Sequence, residues 1–307
     1  MTRDIDFTWS QIEGTDFAWI LVLLVVAVIP LANAARNRDS IALGMVLSLL
    51  LVHFVQFFLS SFHSRLEFYP IDIFSIIPGL AGEPWQGHRM VTSAWLHADF
   101  IHVLGNVLVI AMAGVPLEQR LGSRRWIIIY FIGFIGGNIA WILSHPNSFV
   151  PAIGASGAAF GLLGAYMACW PEDKIDFPLI FVIKAWPVWL IAFVRLGIEI
   201  FQMYSIQSGT AGETNIAHMA HIGGFFLAYS LARPIARGAP SPIGASELDM
   251  VGTSVSDQIR VQATARMGDL GYDPWEAAGK PLEGRARRIL VKLREEGDEL
   301  ETRKAWL

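Results

Sequence analysis

Seven apolar runs close to bilayer-spanning length constrain this chain more than any other feature. They fall at roughly 17–35, 40–61, 98–115, 126–144, 154–171, 187–203 and 216–235. A hydrocarbon core of about 30 Å needs about 20 helical residues, and a helix satisfies every backbone N–H and C=O without water. A soluble protein of 307 residues could bury one large core. It would have no use for several separate runs of this length. The chain is 53% hydrophobic and 16% charged, against about 45–50% and about 25% in soluble domains. Its charges are also segregated, sparse through the apolar runs and dense in the tail. The expected fold class is an all-α polytopic membrane protein.

An odd number of spans puts the two ends on opposite sides. The first residues carry Arg3 against Asp4, Asp6, Glu13 and Asp16, whereas Arg36 and Arg38 follow span one. Further basic residues sit at Arg120, Arg124 and Arg125, and at Arg233 and Arg237. All three basic groups fall on one side of a seven-span zigzag. The positive-inside rule then predicts an outer N-terminus and a cytoplasmic C-terminus, in a multi-pass protein of the cell membrane. The small residues at Leu31–Ala35 resemble a signal-peptide cleavage site. The acidic flank before span one and the arginines after it favour a retained anchor helix instead.

Between spans, residues 62–97 mix Tyr69, Trp85 and Trp95 with Pro70, Pro78 and Pro84. That mixture predicts a segment lying at the outer interface, partly inserted. The tail starts with a turn-rich linker at 238–242, followed by candidate helices at 246–266 and 282–305, the second amphipathic. Loop 171–186 carries Glu172, Asp173, Lys174 and Asp176 and reads as a connection. Cys169 is the sole cysteine, so an intramolecular disulfide and a multi-cysteine metal site are excluded. No metal or other cofactor is implied, and no nucleic-acid partner.

Polar side chains inside a bilayer are costly, so each asks for a partner or a purpose. Span three holds His102 and Asn106, four apart and on one helix face. Span five opens with Gly154-Ala155-Ser156-Gly157, and span seven holds His221 followed by Gly224 and Ala228. Glycines at 157, 161 and 164 recur at helical spacing, which by itself reads as a small-residue packing face. Spans three, five and seven run in the same direction, however. His102, Asn106, Ser156 and His221 therefore lie near the outer ends of their spans at similar depth. Serine becomes a nucleophile when a base takes its proton, histidine is the usual base, and an imidazole with an amide can bind an oxyanion.

These residues resemble the rhomboid intramembrane serine proteases. The family pattern has His-x-x-x-Asn, Gly-x-Ser-Gly and Ala-His-x-x-Gly on three helices. Here these are His102–Asn106, Gly154–Gly157 and Ala220–Gly224, with Glu118-Gln119-Arg120-Leu121-Gly122 matching a further Glu-x-x-x-Gly feature. The resemblance covers about 40–236. It implies a six-helix bundle with one additional N-terminal transmembrane helix at 1–39 and a cytoplasmic tail at 237–307.

By resemblance, Ser156 is the nucleophile and His221 the general base of a dyad. His102, Asn106 and the Ser156 N–H form the oxyanion hole, and no acidic third member is needed or evident. Partners would be membrane-anchored protein substrates within the lipid bilayer. The alternative is a non-proteolytic rhomboid-like protein that binds membrane clients.

Three positions depart from the family pattern. Phe160 stands where a tyrosine often packs on the catalytic histidine, His88-Arg89 replaces Trp-Arg in the outer loop, and Ala228 replaces a glycine. Among the remaining polar residues, His97 and His218 are expected at a water-facing rim. Arg195 and Glu199, four apart in span six, are expected to neutralise each other.

Overall fold

The computed structural model describes residues 12, 14–60, 68–179, 182–210 and 216–239. The tail helices expected beyond 239, and the acidic residues before span one as far as Glu13, lie outside the described residues. Among the described residues, five apolar helical stretches are long enough to cross a membrane. They are α1 (Gly14–Asn37), α2 (Ile41–Ser60), the continuous Phe100–Leu121 unit, α7 (Ser123–Ser144) and α9 (Val188–Gln207). The Phe100–Leu121 unit comprises α5 (Phe100–Val109), a π-helical stretch at Ile110–Gly114 and α6 (Val115–Leu121). Short helices α3 (Pro70–Phe74) and α4 (Arg89–Thr92) belong to the outer segment. The bundle is completed by α8 (Ser156–Cys169) and α10 (His218–Ala236). Every expected span is present as a helix, with ends shifted by a few residues.

The shortest of these bundle helices is α8, 14 residues or about 21 Å, short of a ~30 Å hydrocarbon core. Gly154, at φ +119°, breaks the helical path before it. Nearly all of α8 is buried, so its shortness exposes no backbone to lipid.

Small residues set how closely α7, α8 and α10 approach. A methyl on Gly133 would lie 2.7 Å from the Gly161 Cα. One on Gly137 would lie 2.7 Å from the Ala220 carbonyl oxygen and 3.2 Å from the Gly157 Cα. The glycine-packing reading is therefore right, and it coexists with the polar constellation. Gly137 is level with Gly157, and α7 continues to Ser144 beyond it. At about 1.5 Å per residue, α7 overtops the start of α8 by about 10 Å.

Two buried carboxylates anchor the opposite end. Glu118 accepts from Ser40 Oγ (2.6 Å), Ser123 Oγ (2.6 Å) and the amides of Ile41 and Ala42 (both 2.9 Å). It thereby serves as a remote cap for the first N–H groups of α2, which have no partner within their own helix. Asp173 receives Arg120 Nε at 3.0 Å and Nη2 at 2.7 Å, together with the Tyr166 hydroxyl at 3.2 Å.

The stretch read as a connection from 171 to 186 contains a β-hairpin. Strand β1 (Lys174–Leu179) pairs antiparallel with β2 (Val182–Pro187), in the register Lys174↔Pro187 to Leu179↔Val182. Ile175 and Phe177 are buried while Asp176 is exposed, the period-two alternation of a half-buried strand. That alternation was already present in the sequence.

The described residues of the segment before α5 pack against α1 and α2. Ile73, Phe74 and Leu96 join Trp19, Ile20 and Leu23 of α1 and Val52 of α2 in one apolar cluster. Ser48 of α2 links the three parts, donating to the Ala27 carbonyl (2.7 Å) and accepting from Trp95 Nε1 (2.8 Å). The departure at His88 is absorbed locally, its Nε2 lying 2.8 Å from the Ile73 carbonyl, while the Arg89 guanidinium, which keeps the family residue, binds Gln86 Oε1 and, at 2.9 Å, the Ser75 carbonyl. Desolvation lowers its pKa to about 10, partly countered by Asp72.

Candidate active site

Ser156 is the first residue of α8 and is half-buried. The two residues before it hang from the outer segment. The Gly154 amide donates to the Ser93 carbonyl at 2.9 Å, and the Ala155 amide to His97 Nε2 at 3.3 Å. A paired bridge between Ile76 and Ala152 ties the same strand of chain slightly earlier. His97, expected at a watery rim, is instead fully buried. Its Nδ1 lies 3.3 Å from the Trp95 carbonyl, so Nδ1 carries the proton and Nε2 accepts. Burial, with the neighbouring His102 adding to it, pushes the His97 pKa down to about 3. Gln56 of α2 clamps the His97 backbone from both sides, donating to its carbonyl (2.9 Å) and accepting from its amide (3.1 Å). Neither Gln56 nor this use of His97 was foreseen. A glutamine inside an apolar span was the available signal.

On α5, Asp99 caps the helix by accepting the His102 amide at 2.8 Å. His102 and Asn106 both face the Gly154 backbone. A methyl added to Gly154 would lie 2.7 Å from His102 Nε2 and 3.5 Å from Asn106 Nδ2, so only glycine fits. The positive φ there independently favours glycine. His102 Nδ1 is 3.5 Å from the Ala98 amide as an acceptor, which leaves Nε2 as the donor directed at Gly154. Asn106 Nδ2 is buried with no hydrogen-bond partner among the described residues.

His221 enters from α10. Its ring stacks on Phe160 with centroids 4.6 Å apart and planes 8° from parallel. Phe160 lies one turn after Ser156 on α8, so the stack brings the imidazole over the first turn that Ser156 opens. The missing tyrosine hydroxyl does not prevent the stacking. On the same ring, Arg195 Cζ sits 5.4 Å from the centroid, a cation–π contact.

The expected Arg195–Glu199 pairing is not what forms. With Arg195 placed over Phe160, Glu199 turns to the histidines. Its Oε2 is 2.7 Å from His218 Nδ1 and 2.8 Å from His221 Nδ1. His218, expected at the rim, is buried and hydrogen-bonded to Glu199. The His221 Nδ1 contact is within ion-pair distance but lies off the axis of a hydrogen bond. An acidic group beside His221 therefore exists after all, on a helix that local spacing could not relate to α10. The three ligand atoms lie within 4.8 Å of one another because both imidazoles approach the same Glu199 oxygen.

A helical membrane bundle with this arrangement defines a class. A family model for the rhomboid domain matches residues 84–238, about half of the chain, and the chain belongs to the rhomboid family. It is 37% identical over 87 residues to RHOMBOID-like protein 5 of Arabidopsis thaliana, covering 28% of this chain and 27% of that one. It is 32% identical over 143 residues to RHOMBOID-like protein 1 of the same plant, covering 47% and 33%. It is 30% identical over 154 residues to Rhomboid-related protein 1 of Caenorhabditis elegans, covering 50% and 40%. The matches thus span between about a quarter and two fifths of these relatives' lengths.

Proposed function

We propose that the chain is an intramembrane serine endopeptidase that hydrolyses membrane-anchored proteins near the outer face. Ser156 Oγ attacks the scissile carbonyl carbon while His221 accepts its proton. The carbonyl oxygen, now an anion, takes hydrogen bonds from His102 Nε2, Asn106 Nδ2 and the Ser156 amide. Collapse expels the amine, which receives the proton from His221 and leaves an acyl ester on Ser156. Water, deprotonated by His221, then releases the acid and restores the hydroxyl. The substrate helix must unwind locally, because a hydrogen-bonded helix hides its carbonyls. Residues 40–236 carry this chemistry, with 1–39 as an added anchor segment and 237–307 on the cytoplasmic side.

The observation that carries this reading is the convergence of polar groups on the start of α8 and the glycine just before it. Phe160 holds His221 from one side, and Gly154 faces the donors His102 and Asn106 on the other. Membership of the rhomboid family supports a protease-like function.

The test is labelling of detergent-solubilised protein by a fluorophosphonate, which transfers phosphorus to an activated serine with loss of fluoride. Wild type should label, and Ser156→Ala and His221→Ala should not. Absence of labelling in folded wild type would turn the reading towards a client-binding protein. Labelling that survives Ser156→Ala would move the nucleophile elsewhere. Because the base must be neutral, the rate should fall on acidification, and a flat profile from about pH 5 to 8 would count against His221.

A further inference from the structure

We infer that Glu199 is the positioning carboxylate for His221, completing a Ser156–His221–Glu199 relay in which His218 holds the carboxylate in place. The inference rests on the proposed hydrolysis and deepens it.

An imidazole serving as a base must present one nitrogen to the nucleophile in acceptor form. The other nitrogen must then carry the proton, and a carboxylate beside it selects that tautomer and stabilises the cation formed during attack. Glu199 Oε2 stands 2.8 Å from His221 Nδ1. That contact commits Nδ1 as the protonated side and leaves Nε2 for Ser156. The stack on Phe160 fixes the ring plane, and the carboxylate fixes the rotation within that plane.

His218 explains how a lone acid on an apolar helix is held. Its Nδ1 bonds the same Oε2 at 2.7 Å, and all three side chains are buried. His218 and His221 are three apart on α10, so their rings converge on one point, 6.4 Å apart by centroid and nearly perpendicular. Glu199 comes from α9, and the relay therefore joins two helices rather than one local motif. During proton transfer the off-axis Nδ1–H of His221 needs only to swing onto Oε2, tightening as the imidazolium forms. No atom beyond the serine proton moves between residues, and Glu199 remains a carboxylate throughout.

The charged and titratable groups around His221 are Glu199 from α9, His218 from α10, Arg195 across the Phe160 ring and His102 on α5. Glu199 is the only anion among these four neighbours. Removing its charge leaves the cations opposing protonation of His221. The acid limb of the rate should therefore move to lower pH, by about 1–3 units for a contact this short.

The experiment compares wild type, Ser156→Ala, His221→Ala, Glu199→Gln and Glu199→Asp by fluorophosphonate labelling across pH. In parallel, ¹⁵N-histidine NMR of the wild-type protein in detergent reads the His221 tautomer. The inference expects proton occupancy on His221 Nδ1. It also expects at least about tenfold slower labelling in Glu199→Gln, short of the ~10⁴-fold loss seen when a soluble triad's aspartate becomes an amide. The acid limb should shift down in Glu199→Gln and return towards wild type in Glu199→Asp.

If the dyad variants are silent but Glu199→Gln matches wild type in rate and acid limb, this inference falls and the dyad stands. A His221 that carries its proton on Nε2 overturns the inference without any variant, even should Glu199→Gln fail to fold. A slowed Glu199→Gln with an unmoved acid limb reduces Glu199 to a packing role. Wild type that does not label, or Ser156→Ala that does, removes the underlying hydrolysis and the relay together.

Discussion

Gly224→Ala tests whether the close approach of α10 to α8 sets catalytic geometry. A methyl on Gly224 would stand 2.7 Å from the Gly133 carbonyl oxygen and 3.0 Å from the Gly157 carbonyl carbon, with the Gly157 oxygen closer still. These are backbone atoms of two packed helices, so no side chain can rotate away. Carbon contacts settle near 3.5–4.0 Å, and α10 must therefore retreat by about 1 Å. Overpacking of this kind costs about 1–3 kcal/mol of stability. The catalytic loss should be separate and larger than stability alone explains. Gly224 lies three residues after His221, so the imidazole moves with it, and a 1 Å misplacement costs about 10²-fold in rate.

The assay is cleavage of a reconstituted membrane-anchored substrate, or fluorophosphonate labelling, well below the melting temperature. Gly197→Ala serves as the control. A methyl there meets nothing within 4 Å, and alanine favours the helix. The expected pattern is a loss of about 10²-fold for Gly224→Ala and no loss for Gly197→Ala. A Gly224→Ala protein with wild-type melting and a rate within about twofold would refute the argument that helix spacing positions His221.

Glu118→Gln leaves four inward donors facing a group with one oxygen and a donor of its own. It should lower stability by about 3 kcal/mol in detergent, with labelling retained below the melting transition, and an unchanged melting curve would contradict the capping role. His97 binds its proton at about pH 3 when folded and near 6.5 when free, so its contribution is complete above pH 6.5. Between those values the unfolded state holds more protons, and stability falls as pH falls, by up to about 5 kcal/mol in total. His97→Gln should show a shallower loss across that window in pH-dependent thermal melts, and equal slopes would be the contrary result.

The bundle was legible because membrane helices announce themselves by length. Spacing, span direction and the cost of polarity in lipid single out His102, Asn106, Ser156 and His221 as one candidate set, and the resemblance supplies the role proposed for each. Glu199 escaped for a physical reason. A helix places residues three and four apart together, so Arg195 looked like a sufficient partner. The aromatic face of Phe160, on another helix, took the guanidinium instead. His97 was misjudged because a histidine next to a span end is ambiguous until its neighbours are known, and Gln56 and Ala155 lie 41 and 58 residues away. The hairpin at 174–187 carried its signal in Ile175 and Phe177, obscured by surrounding charges.

The difference in height between α7 and α8 also has a meaning for whatever peptide reaches Ser156. An extended strand advances about 3.3 Å per residue. The roughly 10 Å between the end of α7 and the start of α8 therefore corresponds to about three residues of substrate. A bond presented to Ser156 would be the third or so below the point where the peptide leaves the rim. Selection would then depend on how readily the last turn of a substrate helix frays, a property of its glycine, proline and small-residue content as much as of any side chain read by a pocket. Bilayers of different thickness would change which bond sits at that depth.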